Sequence, residues 1–165
     1  MIVAGTGHRP DKLGGYRQSV LDRLIDLALD SLRSIKPKLV ITGMALGWDT
    51  ALALASIELG VPFHAYVPFK GQELAWPKDS QIKYRDLLKS SDKVVVCSPG
   101  DYSNEKMQIR NEQMVNDSDL LMALWNGSPG GTRNCLEYAG SVKRKIVNVW
   151  PYWIKHYRKC PNQHI

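Results

Sequence analysis

Short apolar runs separated by stretches with helical spacing constrain this chain more than any other feature. The runs are MIVAGT (1–6), LVIT (39–42), HAYV (64–67), KVVVC (93–97), LLMALW (120–125) and IVNV (146–149). Most lack the regular in–out alternation of a strand with one wet face. Strands apolar on both faces have to be covered on both, which is the habit of a parallel sheet. The intervening stretches are Tyr16–Ile35, Thr50–Leu59, Asp79–Lys89, Glu105–Asn116 and Thr132–Lys143. In the first, Leu21, Leu24, Ile25, Ala28 and Leu32 recur on one helical face. Lys36-Pro37 is expected to stop that helix, Gly60 to close the next, and Asp79 or Ser80 to cap the third. The alternation predicts an α/β fold in three layers, a mostly parallel sheet covered by helices. At 165 residues the chain fits one domain. Residues 1–150 are its expected extent, and the basic, aromatic segment 151–165 is expected either to pack as a short extension or to stay loose.

Such a sheet collects the loops that follow its strands at one edge, where ligands bind in open α/β folds. Those loops are GTGHRP (5–10), GMALGWDT (43–50), PFKGQELAW (68–76), SPGDY (98–102) and NGSPGGT (126–132). They hold most of the residues that a core does not need. The formal net charge of +6 suits anionic partners without choosing among them. Cys97, Cys135 and Cys160 have no CxxC spacing, and no secretory leader or membrane-spanning run is visible, so reduced thiols in a cytoplasmic setting are expected. His156, Cys160 and His164 recur every four residues, but Pro161 opposes a helix there. No metal and no cofactor is expected.

The glycines of the last loop, Gly130 and Gly131, precede a helix. There the backbone can approach an anion, and Thr132 can cap the helix or donate to a phosphate oxygen. No Lys stands where a Walker A loop would require one. Gly43 and Gly47 sit at a second strand–helix junction. Asp49 there can accept from ribose hydroxyls, or Asp49 or Thr50 can simply cap the helix. Gly7, His8 and Arg9 add backbone donors and a cation. Arg110 suits a phosphate through paired hydrogen bonds, or else a surface ion pair. Glu137 can assist a departing base, or else be a solvated helix residue. Trp48, Trp76 and Trp125 lie at or beside these loops, where a flat base can stack.

RNxxMVxxSDxLxA (110–123), PGGT (129–132) and Glu137 resemble the SLOG superfamily, which includes the LOG-type nucleotide phosphoribohydrolases and the DprA-type proteins. Arg110, Met114, Ser118, Asp119, Pro129, Gly130, Gly131 and Glu137 match the LOG-type pattern. Its third Gly falls on Arg133 and its Thr on Asn134. PFKGQELAW, Tyr84, SPGDY, Gln108, Arg110-Asn111 and Tyr138-Ala139 are similar to the YpsA-like branch. The resemblance implies a Rossmann-like three-layer sandwich with a nucleotide or nucleotide-derived ligand at the strand ends, and relatives that often pair as homodimers. It leaves three functions open. One is hydrolysis of an N-glycosidic bond, with Arg110 and Glu137 catalytic. Another is a non-catalytic sensor of an ADP-ribose-like or cyclic nucleotide, with Arg133 as an added phosphate contact. The third is single-strand nucleic-acid binding through the basic, aromatic tail.

Overall fold

Val3, Leu120, Met122 and Leu124 pack into one apolar cluster, while their neighbours Ala4 and Leu121 pack into another. Successive strand residues point to opposite faces, so a strand feeding two clusters lies between two helical layers. In the computed structural model, which describes residues 1–158, these residues belong to the centre of a six-stranded sheet. The strands are β1 (Ile2–Gly7), β2 (Leu39–Thr42), β3 (Phe63–Val67), β4 (Lys93–Val96), β5 (Leu120–Leu124) and β6 (Lys145–Asn148). Their order is β4-β3-β2-β1-β5-β6, and every pairing is parallel.

The helices are α1 (Gln18–Ile35), α2 (Trp48–Leu59), α3 (Lys78–Ser90), α4 (Asn104–Asn116) and α5 (Gly131–Ser141). One layer is α1, α2 and α3, which bury Leu24, Leu32, Leu52 and Leu87 in the larger cluster. The other is α4 and α5, through Met114, Val115, Cys135 and Ala139. Each fully buried Leu contributes roughly 1.5–3 kcal/mol, so the apolar stripe of α1 anchors its layer. The fold is thus the expected Rossmann-like three-layer sandwich, with an all-parallel sheet.

Local departures from the sequence reading have local causes. Helix α2 begins at Trp48, ahead of Thr50, because Gly47 (φ 93°) turns the chain directly into it. Asp49 and Thr50 therefore lie inside the first turn rather than at the N-cap. Pro77 is the N-cap of α3, so neither Asp79 nor Ser80 caps that helix. Asp79 instead places its charge in the first turn, where the helix dipole favours it. A short 3-10 turn at Gln72–Ala75 carries no periodic pattern and was not expected.

Past β6 the chain forms a helical turn (Trp150–Tyr152) and a π-helical turn (Trp153–Tyr157). Trp153 is 1% exposed within the α1 layer, and the Tyr157 hydroxyl donates to Asp30 of α1. As far as Tyr157 the extension is packed rather than loose. Cys160 and His164 lie outside the described residues. Among those described, no helix is long and apolar enough to cross a membrane.

From β1 the chain steps outward through β2, β3 and β4, then returns to the other side of β1 as β5. The β1/β5 boundary is therefore the point where the winding reverses. In open α/β sheets a crevice forms at the strand ends there.

Candidate functional site

A cleft of about 420 Å³ opens at the carboxyl ends of β1 and β5. Thr6 to Arg9 and Lys12 form one wall, and Ser128 to Thr132 face them. Ala45 and Asp49 come from the start of α2. Tyr102, Asn104, Met107, Arg110 and Asn111 come from α4 and the loop before it.

The β1 loop is tied to the β5–α5 loop across the cleft. His8 Nε2 lies 2.8 Å from Asn126 Oδ1 and 3.0 Å from the Asn126 backbone nitrogen. Burial lowers the His8 pKa below its ordinary value, outweighing the opposing hydrogen bond to Asn126. Lys12 Nζ donates to Ser128 Oγ at 2.9 Å nearer the surface. Trp125 pins the second loop by donating from Nε1 to the Ser128 carbonyl at 2.7 Å.

The loop after β2 is held by its own polar groups. Met44 sits at φ 60°, an uncommon conformation for a side chain of this size. Its N–H donates to Thr42 Oγ1, whose hydroxyl in turn donates to the Asp49 carbonyl. Thr50 Oγ1 donates to the Ala45 carbonyl at 2.9 Å, and the Ala45 N–H donates to Asp49 Oδ2 at 3.2 Å. The other Asp49 oxygen, Oδ1, is buried with no hydrogen-bond partner among the described residues. Burial pushes the Asp49 carboxyl up to about 6, against the opposing pull of the Arg110 guanidinium. The stability that neutral Asp49 contributes is therefore present below pH 3.8 and lost as the pH rises through about 6.

Arg110 is 5% exposed rather than in a surface ion pair. Its Nη1 donates to the Gly43 carbonyl at 2.5 Å and to the Tyr66 carbonyl at 3.4 Å, and its Nε to Asn111 Oδ1 at 3.0 Å. A Cβ built on Gly43 would lie 2.4 Å from Arg110 Nη1 and 3.0 Å from Asp49 Oδ2. Only glycine leaves room for this arrangement. Gly7 is similarly required by packing, since a Cβ there would meet Trp48 at 2.6 Å.

At the start of α5 the reason for glycine differs. Gly130 (φ 140°) is the N-cap and makes no side-chain cap bond. A Cβ on Gly130 or on Gly131 would meet nothing within 4 Å. The first N–H groups of an α-helix have no intrahelical acceptor, and here no side chain caps them. They face the cleft with the positive end of the helix dipole.

The cleft thus brings together Gly7, His8, Arg9, Asp49, Arg110, Gly130, Gly131 and Thr132 from the expected set. Gly43 lies beneath it. Gly47 and Thr50 line a separate cavity of about 330 Å³ beside Tyr16, Trp76 and Tyr84. Arg133 and Glu137 line neither cavity. They form an exposed ion pair at 2.8 Å, with side chains 49% and 61% accessible. Cys135 and Ala139 of α5 face the sheet. Glu137 is two residues from each, and at about 100° per residue it points to the opposite side of the helix. None of the tryptophans lines the larger cleft: Trp48 is in the core, Trp76 packs on Tyr84 and Trp125 braces its loop. Besides His8, the ring in the cleft is that of Tyr102, with Asn104, Met107 and Asn111 beside it. Asn104 and Met107 were not singled out in the sequence, whereas Arg110-Asn111 had appeared as a motif match and SPGDY had placed Tyr102 at the correct sheet edge. Among the described residues no cluster of three metal-ligating side chains occurs.

Fold and cleft together define a Rossmann-like domain with an uncapped helix N-terminus at its switch point. A family model for the YspA SLOG family matches residues 3–147. The chain belongs to this family. It is 35% identical over 116 residues to the uncharacterized SPbeta prophage-derived protein YoqJ of Bacillus subtilis, covering 60% of this chain and 67% of that one. A UPF0398 protein of Bacillus thuringiensis is 24% identical over 164 residues, covering 93% of this chain and 89% of the relative. Among solved structures, DNA processing protein A of Streptococcus pneumoniae superposes with a TM-score of 0.64 at 18% identity, over 87% of this chain. The chain spans about half (48%) of that structure's length, and the likeness is one of fold.

Proposed function

We propose that this chain binds a phosphorylated nucleotide in the 420 Å³ cleft and holds it without cleaving it. The observation that carries this is the bare start of α5. Gly130 and Gly131 abut nothing in the protein, yet they stand where orphan N–H groups converge on a cavity. A helix N-terminus of this kind accepts a phosphate directly. Arg9 and Lys12 on the facing wall add positive charge. Tyr102 offers an exposed ring on which a base can lie.

Retention without cleavage is supported by the position of Glu137. Its carboxylate pairs with Arg133 on an exposed face of α5, and it is not among the residues that line the cleft. Of the aromatic residues in the tail, Trp153 is committed to the core, whereas Tyr152 is exposed.

Calorimetry with ribonucleoside 5′-monophosphates and ADP-ribose tests the reading, with chromatography of the same mixtures for free base. Saturable binding that inorganic phosphate competes away, with no base released, is expected. Gly131→Ala is expected to change stability by less than about 0.5 kcal/mol, since a Cβ there meets nothing within 4 Å. The same change is expected to weaken binding at least about tenfold, or about 1.4 kcal/mol. Absence of binding by the wild type overturns the nucleotide reading. Release of base overturns the non-cleaving half of it.

A further inference from the structure

The cleft is chemically divided. At the start of α5 it offers N–H groups, with Arg9 and Lys12 on the wall facing them, which suit a phosphate. At the start of α2 it offers the Asp49 carboxylate, which repels one. Asp49 is 7% exposed and lines the cleft, and its two oxygens are unequal. Oδ2 receives the Ala45 N–H, whereas Oδ1 is buried with no partner. A buried polar atom without a partner is costly and uncommon in native proteins. An ionised carboxylate oxygen can only accept, so the group that completes it has to be a donor. The neighbouring Arg110 does not complete it. No ion pair within 4.0 Å joins the two, and the guanidinium donates instead to the Gly43 and Tyr66 carbonyls and to Asn111.

On the nucleotide reading, on which this inference rests, the ligand part next to the phosphate is the sugar, and the donors it carries are hydroxyls. We propose that Asp49 is the sugar-reading residue of the cleft, accepting a hydrogen bond from the ribose 2′-hydroxyl and thereby selecting ribonucleotides over 2′-deoxyribonucleotides. A site built around a hydroxyl rejects an analogue lacking it, because the site's own polar atom is then left unpaired. Terminal rotation of a carboxylate is soft, so either oxygen can serve as the acceptor. The backbone net around Thr42, Met44, Ala45 and Thr50 fixes where the carboxylate stands.

The test compares the four ribonucleoside 5′-monophosphates with their 2′-deoxy counterparts on the wild type and on Asp49→Asn. The wild type is expected to prefer the ribo form by at least about tenfold. Asp49→Asn keeps one acceptor for the Ala45 N–H and puts an NH2 where Oδ1 stood, so most of that preference, read as the ratio of ribo to deoxy affinity, is expected to be lost. A purely structural Asp49 would weaken both forms alike and leave their ratio unchanged. That result, or equal binding of both forms by the wild type, overturns the assignment of Asp49. If neither form binds, the nucleotide reading fails, and this inference fails with it.

Discussion

Arg110→Met is expected to bind nucleotide about 100-fold more weakly than the wild type, a loss of about 2.7 kcal/mol. It is also expected to lower the stability of the unliganded fold by about 2–4 kcal/mol. Met fills most of the same space, so neither effect comes mainly from a cavity. Arg110 joins the end of β2, through the Gly43 carbonyl, to the end of β3, through the Tyr66 carbonyl. Removing it leaves two carbonyls without this charged donor, of which Gly43 retains a bond from Gln72. It also removes the charge that counters burial at Asp49, whose carboxyl pKa then rises further above 6. Arg110→Lys keeps the charge but not the planar fork, and an intermediate loss of affinity is expected. Urea denaturation and calorimetry on the three proteins measure both effects. Wild-type affinity in Arg110→Met would remove Arg110 from the binding machinery.

Trp153→Ala is expected to destabilise the protein by about 3–5 kcal/mol, as for other buried large-to-small aromatic changes. Trp153 is 1% exposed in the cluster formed by α1, α2 and the sheet. The turn that carries it is held to α1 by the Tyr157–Asp30 hydrogen bond. The cleft lies at the strand ends and shares none of these residues. Affinity measured well below the melting midpoint is therefore expected to stay within about twofold of the wild type. A thermal midpoint unchanged by the substitution would mean that the C-terminal turn is not part of the core.

The inner strands were legible because they are buried on both faces, and the runs that form the more exposed edge strands β4 and β6 were legible by their β-branched residues. A run such as LVIT (39–42) has no other stable place in a chain of this kind, and it forms β2 over those same residues. Helix starts were less legible. Trp48 opens α2 and Pro77 caps α3 because of backbone conformations that propensity does not specify. Within the cleft, the glycine-rich turns were visible, since glycine before a helix has few other uses. The contacts that close the cleft were not. His8 meets Asn126 and Lys12 meets Ser128 across more than a hundred residues, and Arg110 reaches Gly43 across 67. Periodicity holds no information at that range. Glu137 shows the converse. A motif match carries a residue's place along the chain, whereas the helical phase relative to Cys135 and Ala139 determines which way it points.

Amide NMR of the labelled protein, titrated with a ribonucleoside 5′-monophosphate, tests the phosphate site most directly. The expected shifts concentrate on Gly130, Gly131 and Thr132, with smaller ones at His8, Arg9 and Asn111 across the cleft. Shifts confined to Trp150–Tyr157, or to the helical surface around Glu137, would contradict a phosphate at the start of α5, as would a spectrum that does not move at all.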